Sequence, residues 1–350
     1  MKIKNLTIIF ACITLVLTSC DSFKKIKEPD TSPTASDSVE LLNFNNLTGL
    51  YDLEDSGVGK RPVTVMISNI KQSLPQRGIC SADVCYEVLA EGGITRIMAV
   101  FSDYTKVPTT GPVRSVREYF IDFAKPLDPI FVHFGGSTTG NQRISSEDID
   151  TIDGYTSSGS KSFWSDKSIA QQKGKEHSYF TDSLYLKPLI EKYKFDMNAK
   201  NSKPLFNFLS PNEKNVPNEI AATKVTVPFS GYAVSTFEYD SNTSKYKKSQ
   251  FKQPHIDANT GEQVAVDNVL VVFTPTGDVD YDNVHIQMEL KGGKGYYISQ
   301  GKAAQISWSK ADADSNIKYV LNGQELRVNA GTSWICIVPT SSYNSVAFEA

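Results

Sequence analysis

The residues best suited to chemistry in this chain lie between Glu91 and Ser137. Arg96 comes first, Arg114 and Arg117 follow Gly111-Pro112, and His133-Phe134-Gly135-Gly136-Ser137 closes the stretch. A guanidinium presents a fork of donors that matches carboxylates and phosphates. An imidazole exchanges protons near neutral pH, and glycine lets backbone amides approach a ligand closely. Together these types describe an anion site. Arg96, Arg114 and Arg117 would contact the charge, with Ser115, Gly135, Gly136 and Ser137 lining the pocket. His133 would be a general acid/base or an anion ligand. Two alternatives stand beside this one: Glu87, Glu91 or Asp103 satisfies the arginines internally, or His133 is a hydrogen-bonded core histidine before a tight turn. Ser137 lacks both the Gly-x-Ser-x-Gly elbow and the Ser-x-x-Lys pattern of known nucleophiles. No Cys/His spacing fits a metal site, so neither metal nor cofactor is expected.

The elements that position these groups follow from periodicity. Gly111-Pro112 is expected to open a helix with Pro112 in its first turn and Val113, Val116, Phe120 and Phe123 on one face. That would put Arg114 and Arg117 at the positive end of the helix, where a cation is unfavourable unless an anion joins it. Asp128 to Ser137 reads as a strand apolar on both faces, hence central and buried. Arg61 to Asn69 alternates as a strand, and Gly92-Gly93 between two β-branched runs predicts a hairpin, with one helix over Ala82–Ala90 as the alternative. The polar stretch from Ser137 to Gly174 reads mostly as loops, with Ser145/Ser146 capping one short helix. His177 belongs to a polar loop that either folds over the site or is solvated. A helix is expected from Thr181-Asp182-Ser183 towards Tyr193.

After about Pro204 the texture changes to short strand-like runs separated by turn signals such as Asn259-Thr260-Gly261 and Asn322-Gly323. The predicted class is therefore α+β or α/β: an N-terminal mixed α/β domain over 46–200, then a β-rich domain over 204–350. His255-Ile256-Asp257 puts His and Asp two apart, open to a mutual hydrogen bond, a metal site or a structural pair at the junction, of which the structural reading is preferred.

The N-terminus gives an address. Lys2 and Lys4 precede an apolar run from Leu6 to Leu17, too short to span a bilayer, which takes about 20 residues. Leu17-Thr18-Ser19-Cys20 then matches a lipobox. Residues 1–19 are expected to be a signal peptide, Cys20 to carry acyl chains such as palmitate, and 20–45 to be a lipidated, flexible tether. A composition of 40% hydrophobic and 11% aromatic residues is that of a globular protein. With 34 basic and 39 acidic residues after the leader, the chain lacks the basic surface a nucleic-acid binder needs. Cys80 and Cys85 are read as small buried hydrophobes rather than a disulfide.

Several motifs occur in order along the whole chain after the tether: Pro75-Gln76, Ala82 to Glu87, Glu91 to Arg96, Gly111 to Arg117, His133 to Ser137, His255-Ile256-Asp257, Trp308-Ser309-Lys310, Asn322 to Leu326 and Ala330 to Ile335. On these the chain resembles the YerB-like bacterial lipoproteins, a two-part family of unknown function. The resemblance implies lipoprotein status and the two-part layout but supplies no reaction. Where that family has Arg-Pro-Gln this chain has Leu74-Pro75-Gln76, with Arg77 after it, and Glu176-His177-Ser178 replaces Pro-His-Asn. The expected function is a membrane-anchored envelope protein that binds an anionic ligand, a phosphorylated or carboxylated glycan. The alternatives are a hydrolase or transferase acting on a phosphodiester or glycan with the same cluster, and a protein-interaction scaffold.

Overall fold

Two apolar cores, one on each face of a large sheet, set the architecture. The structure, a computed structural model, describes residues 43–200, 203–277 and 286–350. The leader, Cys20 and nearly all of the expected tether lie outside the described residues, as do two residues of the Lys200–Lys203 connection. In the first half, β1 (Val63–Asn69), β2 (Val84–Leu89), β3 (Thr95–Phe101), β4 (Ile130–His133) and β5 (Thr151–Asp153) pair in the order β2-β3-β1-β4-β5. β1, β4 and β5 are parallel, whereas β3 runs antiparallel to both β1 and β2. The Gly92–Gly93 turn makes β2–β3 a hairpin, so the single helix over Ala82–Ala90 does not form. Both glycines take positive φ, a conformation a side chain would strain.

Side chains alternate across this sheet with period two. Val63, Val65 and Ile67 pack with Cys85, Ile97, Ala99 and Val132 on one face, while Met66 packs with Tyr86, Met98 and Phe131 on the other. Both faces are covered, so β1 and β4 are buried along their whole length. Among the described residues of the first half are four α-helices: α1 (Glu118–Ala124), α2 (Thr138–Ser146), α3 (Lys167–Lys173) and α4 (Ser183–Tyr193). α1 delivers Tyr119, Phe120 and Phe123 to the second core, and α4 delivers Leu186, Leu189 and Ile190 to the first. The Asp182 carboxylate starts α4 by accepting from the amides of Leu184 and Tyr185.

Two local expectations fail. Ser145 and Ser146 end α2 rather than cap a helix. Ser137 is the cap, its hydroxyl accepting from the Gly140 amide at 3.0 Å. The larger correction concerns Gly111–Arg117, which is extended. β1 and β4 pair only as far as Val65 and Val132. Beyond that point they part, and residues 112–116 fill the gap. The amides of Ser68 and Phe134 donate to the carbonyls of Pro112 and Arg114, and those of Arg114 and Val116 donate to Met66 and Gly135. Sheet partners on both sides satisfy the backbone groups a helix would have used. Helix α1 therefore begins only at Glu118, with Arg117 as its N-cap.

The second half supplies β6 (Lys224–Pro228), β7 (Val234–Asp240), β8 (Lys245–Gln250), β9 (Asn268–Thr274), β10 (Gly292–Ser299), β11 (Lys302–Ser309), β12 (Lys318–Leu321), β13 (Ser333–Pro339) and β14 (Ala347–Glu349). The fold is mixed α/β with a β-rich C-terminal part. β13 lies between β9 and β2 and is parallel to both, so strands β9 to β13 extend the N-terminal sheet. β14, β6, β7 and β8 form a second sheet, whose Val225, Val227, Phe237 and Tyr246 join the first core. One of the strand-like runs after Pro204, residues 284–290, lies partly outside the described residues; within them Gln287–Met288 is a strand. Cys80 and Cys85 are free thiols, and Cys85 is buried.

Candidate functional site

The β2–β3 turn places Glu91 beside the C-terminal end of the inserted segment. Its carboxylate accepts from Arg117 through Nε at 2.9 Å and Nη2 at 2.5 Å, and from Arg96 Nη2 at 2.6 Å. Arg96 also donates to the Ser115 carbonyl, which fastens the segment to the hairpin, while Arg117 donates to the carbonyl of Val116 within the segment. Burial alone would raise the Glu91 pKa; the two guanidinium charges overcome it and hold the carboxyl at about 2. Burial next to Arg117 lowers Arg96 to about 10. Two of the three arginines are thus spoken for by the protein itself, and the helix-end argument for a ligand on Arg117 falls with the helix.

His133 sits at the end of β4, buried, with both ring nitrogens engaged. Nδ1 is 2.8 Å from the Gly135 carbonyl and Nε2 is 2.8 Å from the Thr151 hydroxyl. Burial lowers its pKa against the pull of Asp153, whose Oδ1 is 3.8 Å away. The Gly135 amide donates to Asp153 Oδ1 at 2.7 Å, leaving it no role as an oxyanion donor. Gly135 has φ +73°, and a Cβ there would stand 2.6 Å from the Tyr155 ring. The glycine admits an aromatic side chain of the protein, not a ligand atom.

Arg114 differs. It projects from the inserted segment into a cleft of about 540 Å³, at the C-terminal ends of the parallel strands β4 and β5. Open α/β sheets bind ligands at such strand ends. Ser115, Phe134, Gly154, Tyr155, Ser160, Lys175, Glu176 and Tyr179 share the cleft. Phe134 stacks on Tyr179 with centroids 4.1 Å apart and meets Tyr155 edge-on at 5.2 Å. The Lys175–His177 turn forms one wall, and Arg114 Nη1 donates to the Glu176 carbonyl at 3.3 Å. His177 is anchored below, Nδ1 3.3 Å from Ser73 Oγ, so its loop packs against the site rather than standing in water. Burial lowers the Arg114 pKa, and Glu176 opposes that shift only partly.

"Protein of unknown function (DUF3048) N-terminal domain" matches residues 47–196, and the corresponding C-terminal domain matches 225–335. The Bacillus subtilis (strain 168) protein named "Putative lipoprotein YerB" is 30% identical over 357 residues, 98% of each chain. The chain belongs to the DUF3048 family. The crystal structure of YerB protein from Bacillus subtilis superposes with a TM-score of 0.75 at 28% identity, covering 87% of this chain and 99% of that one. Among the described residues of this DUF3048 protein, no helix is long and apolar enough to cross a membrane.

Several motif residues of this DUF3048 chain meet elsewhere, where the two halves join. Glu87, Lys248, His255, Gln76 and Asn69 close a buried ring of polar contacts. Lys248 Nζ stands 3.5 Å from Glu87 Oε2 and 3.1 Å from His255 Nδ1. His255 Nε2 donates to Gln76 Oε1 at 2.6 Å, and Gln76 Nε2 donates to Asn69 Oδ1 at 2.9 Å. Asn69 Nδ2 donates to Glu87 Oε1 at 2.9 Å. Ser235, Thr95 and the Trp334 indole also donate to Glu87. The His255-Ile256-Asp257 motif is structural, as expected, but not as a mutual pair: Asp257 accepts from the amides of Gly78 and Cys80. The cleft residues Tyr155, Lys175 and Tyr179 carry no periodic signal: Tyr155 follows the three-residue strand β5, Lys175 lies in a three-residue turn and Tyr179 in a two-residue strand, each too short for alternation to show.

Proposed function

We propose that this DUF3048 protein is a cell-envelope lipoprotein, held by lipid on Cys20 at the extracytoplasmic face of a membrane, whose Arg114 cleft binds an anionic ligand. The anchor rests on the leader and lipobox pattern and on the lipoprotein named over 98% of both chains in the Bacillus subtilis relative. The ligand rests on one observation. Of the seven arginines in the sequence, six hold a carboxylate at 3.6 Å or closer. Arg114, half-buried in a cleft, makes no such pair among the described residues. A partly desolvated guanidinium without a counter-ion is stabilised by an incoming phosphate or carboxylate, which it grips in a bidentate fork.

The test is thermal unfolding with inorganic phosphate, against sodium chloride at equal ionic strength. Phosphate raises the melting temperature, by about 2.7 kcal/mol of stability at a hundredfold excess over Kd. Arg114→Ala abolishes the rise and leaves the phosphate-free melting temperature in place. An unchanged melting curve, or a rise that survives Arg114→Ala, overturns the reading.

A further inference from the structure

The same cleft carries an aromatic surface that a bare anion would leave unused. Tyr155 is 75% exposed, the most exposed aromatic side chain among the large hydrophobics of the described residues. It is nevertheless held in place. Its amide donates to Asp153 Oδ1 at 2.9 Å, the same oxygen that holds the Gly135 amide. Its ring lies against Gly135, where a Cβ would come within 2.6 Å, and edge-on to Phe134, itself stacked on Tyr179. A large ring left in water forfeits the free energy of burial, and here the backbone around it is fixed so that the ring stays exposed beside Arg114.

We infer that Tyr155 is a stacking platform for a sugar ring, and that the ligand is a pyranoside carrying one carboxylate or phosphate. This rests on the anion reading and narrows it. An open aromatic face matches the C–H face of a pyranose, while Ser115, Ser160 and the Glu176 carboxylate offer hydroxyl partners around it. Charge sets the number of anionic groups. Arg114 and Lys175 against Glu176 leave one net positive charge in the cleft, which suits a singly substituted sugar and disfavours a polyanion.

The experiment titrates full-length protein with inorganic phosphate, glucose 6-phosphate, glucuronic acid and adenosine monophosphate, followed by saturation-transfer NMR and melting temperature. Glucose 6-phosphate should bind about tenfold tighter than phosphate, the scale of one well-made aromatic contact. Its ring C–H protons should receive saturation. Tyr155→Ala should reduce it to the affinity of phosphate while leaving the phosphate response intact, and Tyr155→Phe should restore it, because the ring and not the hydroxyl does the stacking. Glucuronic acid binding tighter than glucose 6-phosphate would identify carboxylate as the preferred anion. Equal affinities for phosphate and both sugars, or indifference to Tyr155→Ala, overturn the sugar platform and spare the anion site. Adenosine monophosphate binding tighter than either sugar overturns the sugar assignment. No response to any of the four overturns the anion site and the platform together.

Discussion

The junction ring and the Arg114 cleft are built from the same residue types and do opposite things. At the junction, Glu87 and Lys248 are wholly buried; Asn69, Thr95, Ser235 and Trp334 donate to Glu87, and Gln250 and His255 accept from Lys248. In the cleft, Arg114 is half-buried and its guanidinium donates to a carbonyl, with no carboxylate paired to it among the described residues. A buried charge is tolerated when the protein completes its shell and costs several kcal/mol when it does not. A completed shell marks structure, and an incomplete one beside open space marks a place for something else. Glu91 with Arg96 and Arg117 belongs to the first kind, although in the sequence those arginines look no different from Arg114.

The contrast can be broken at its strongest point first. Lys248→Ala strands Glu87 without its counter-ion and should cost about 3–5 kcal/mol in chemical denaturation. Glu87→Gln/Lys248→Met, which removes both charges, should cost less than that single change. A double variant as unstable as the single one would mean that the ring's shape, not its charge, holds the halves together.

Next comes Glu91→Gln, which leaves Arg96 and Arg117 facing each other and should cost about 3 kcal/mol. The acid profile checks the same pair. The folded pKa of Glu91, about 2, lies below its unfolded value. The unfolded state therefore binds the proton first, and the contribution present above about pH 4.5 is lost as pH falls towards 2. A shallower acid limb in Glu91→Gln confirms the assignment, and an unchanged limb removes it.

A weaker effect comes from the histidines. Burial lowers His133, His177 and His255, with Lys248 adding to the shift at His255. The unfolded chain again protonates first, so stability should already decline below about pH 6.5. Lys248→Ala should soften that decline by removing the charge beside His255. The smallest effect is on the cleft side. Arg114→Ala should change stability by no more than about 0.5 kcal/mol, as surface changes outside a network do. A loss as large as that of Glu91→Gln would place Arg114 with the structural charges after all.

Sequence by itself determined the strands, because period-two alternation and Gly-Gly or Asn-Gly turns are local signals. β1, the β2–β3 hairpin, β4 and most of the β-rich half were legible for that reason. It also supplied the candidate charges, and Glu91 among the carboxylates that answer them. It pointed to a helix for Gly111–Arg117, which is extended. Pro112 and the apolar spacing suit a first turn, but the parting of β1 and β4 offers hydrogen bonds on both sides, and those belong to residues distant in the chain. The sheet that joins the two halves through β2 and β13 is likewise a pairing across some 250 residues, invisible to any window. Which arginine is left open depended on tertiary structure alone: the charge is local, but its partner is chosen by the fold.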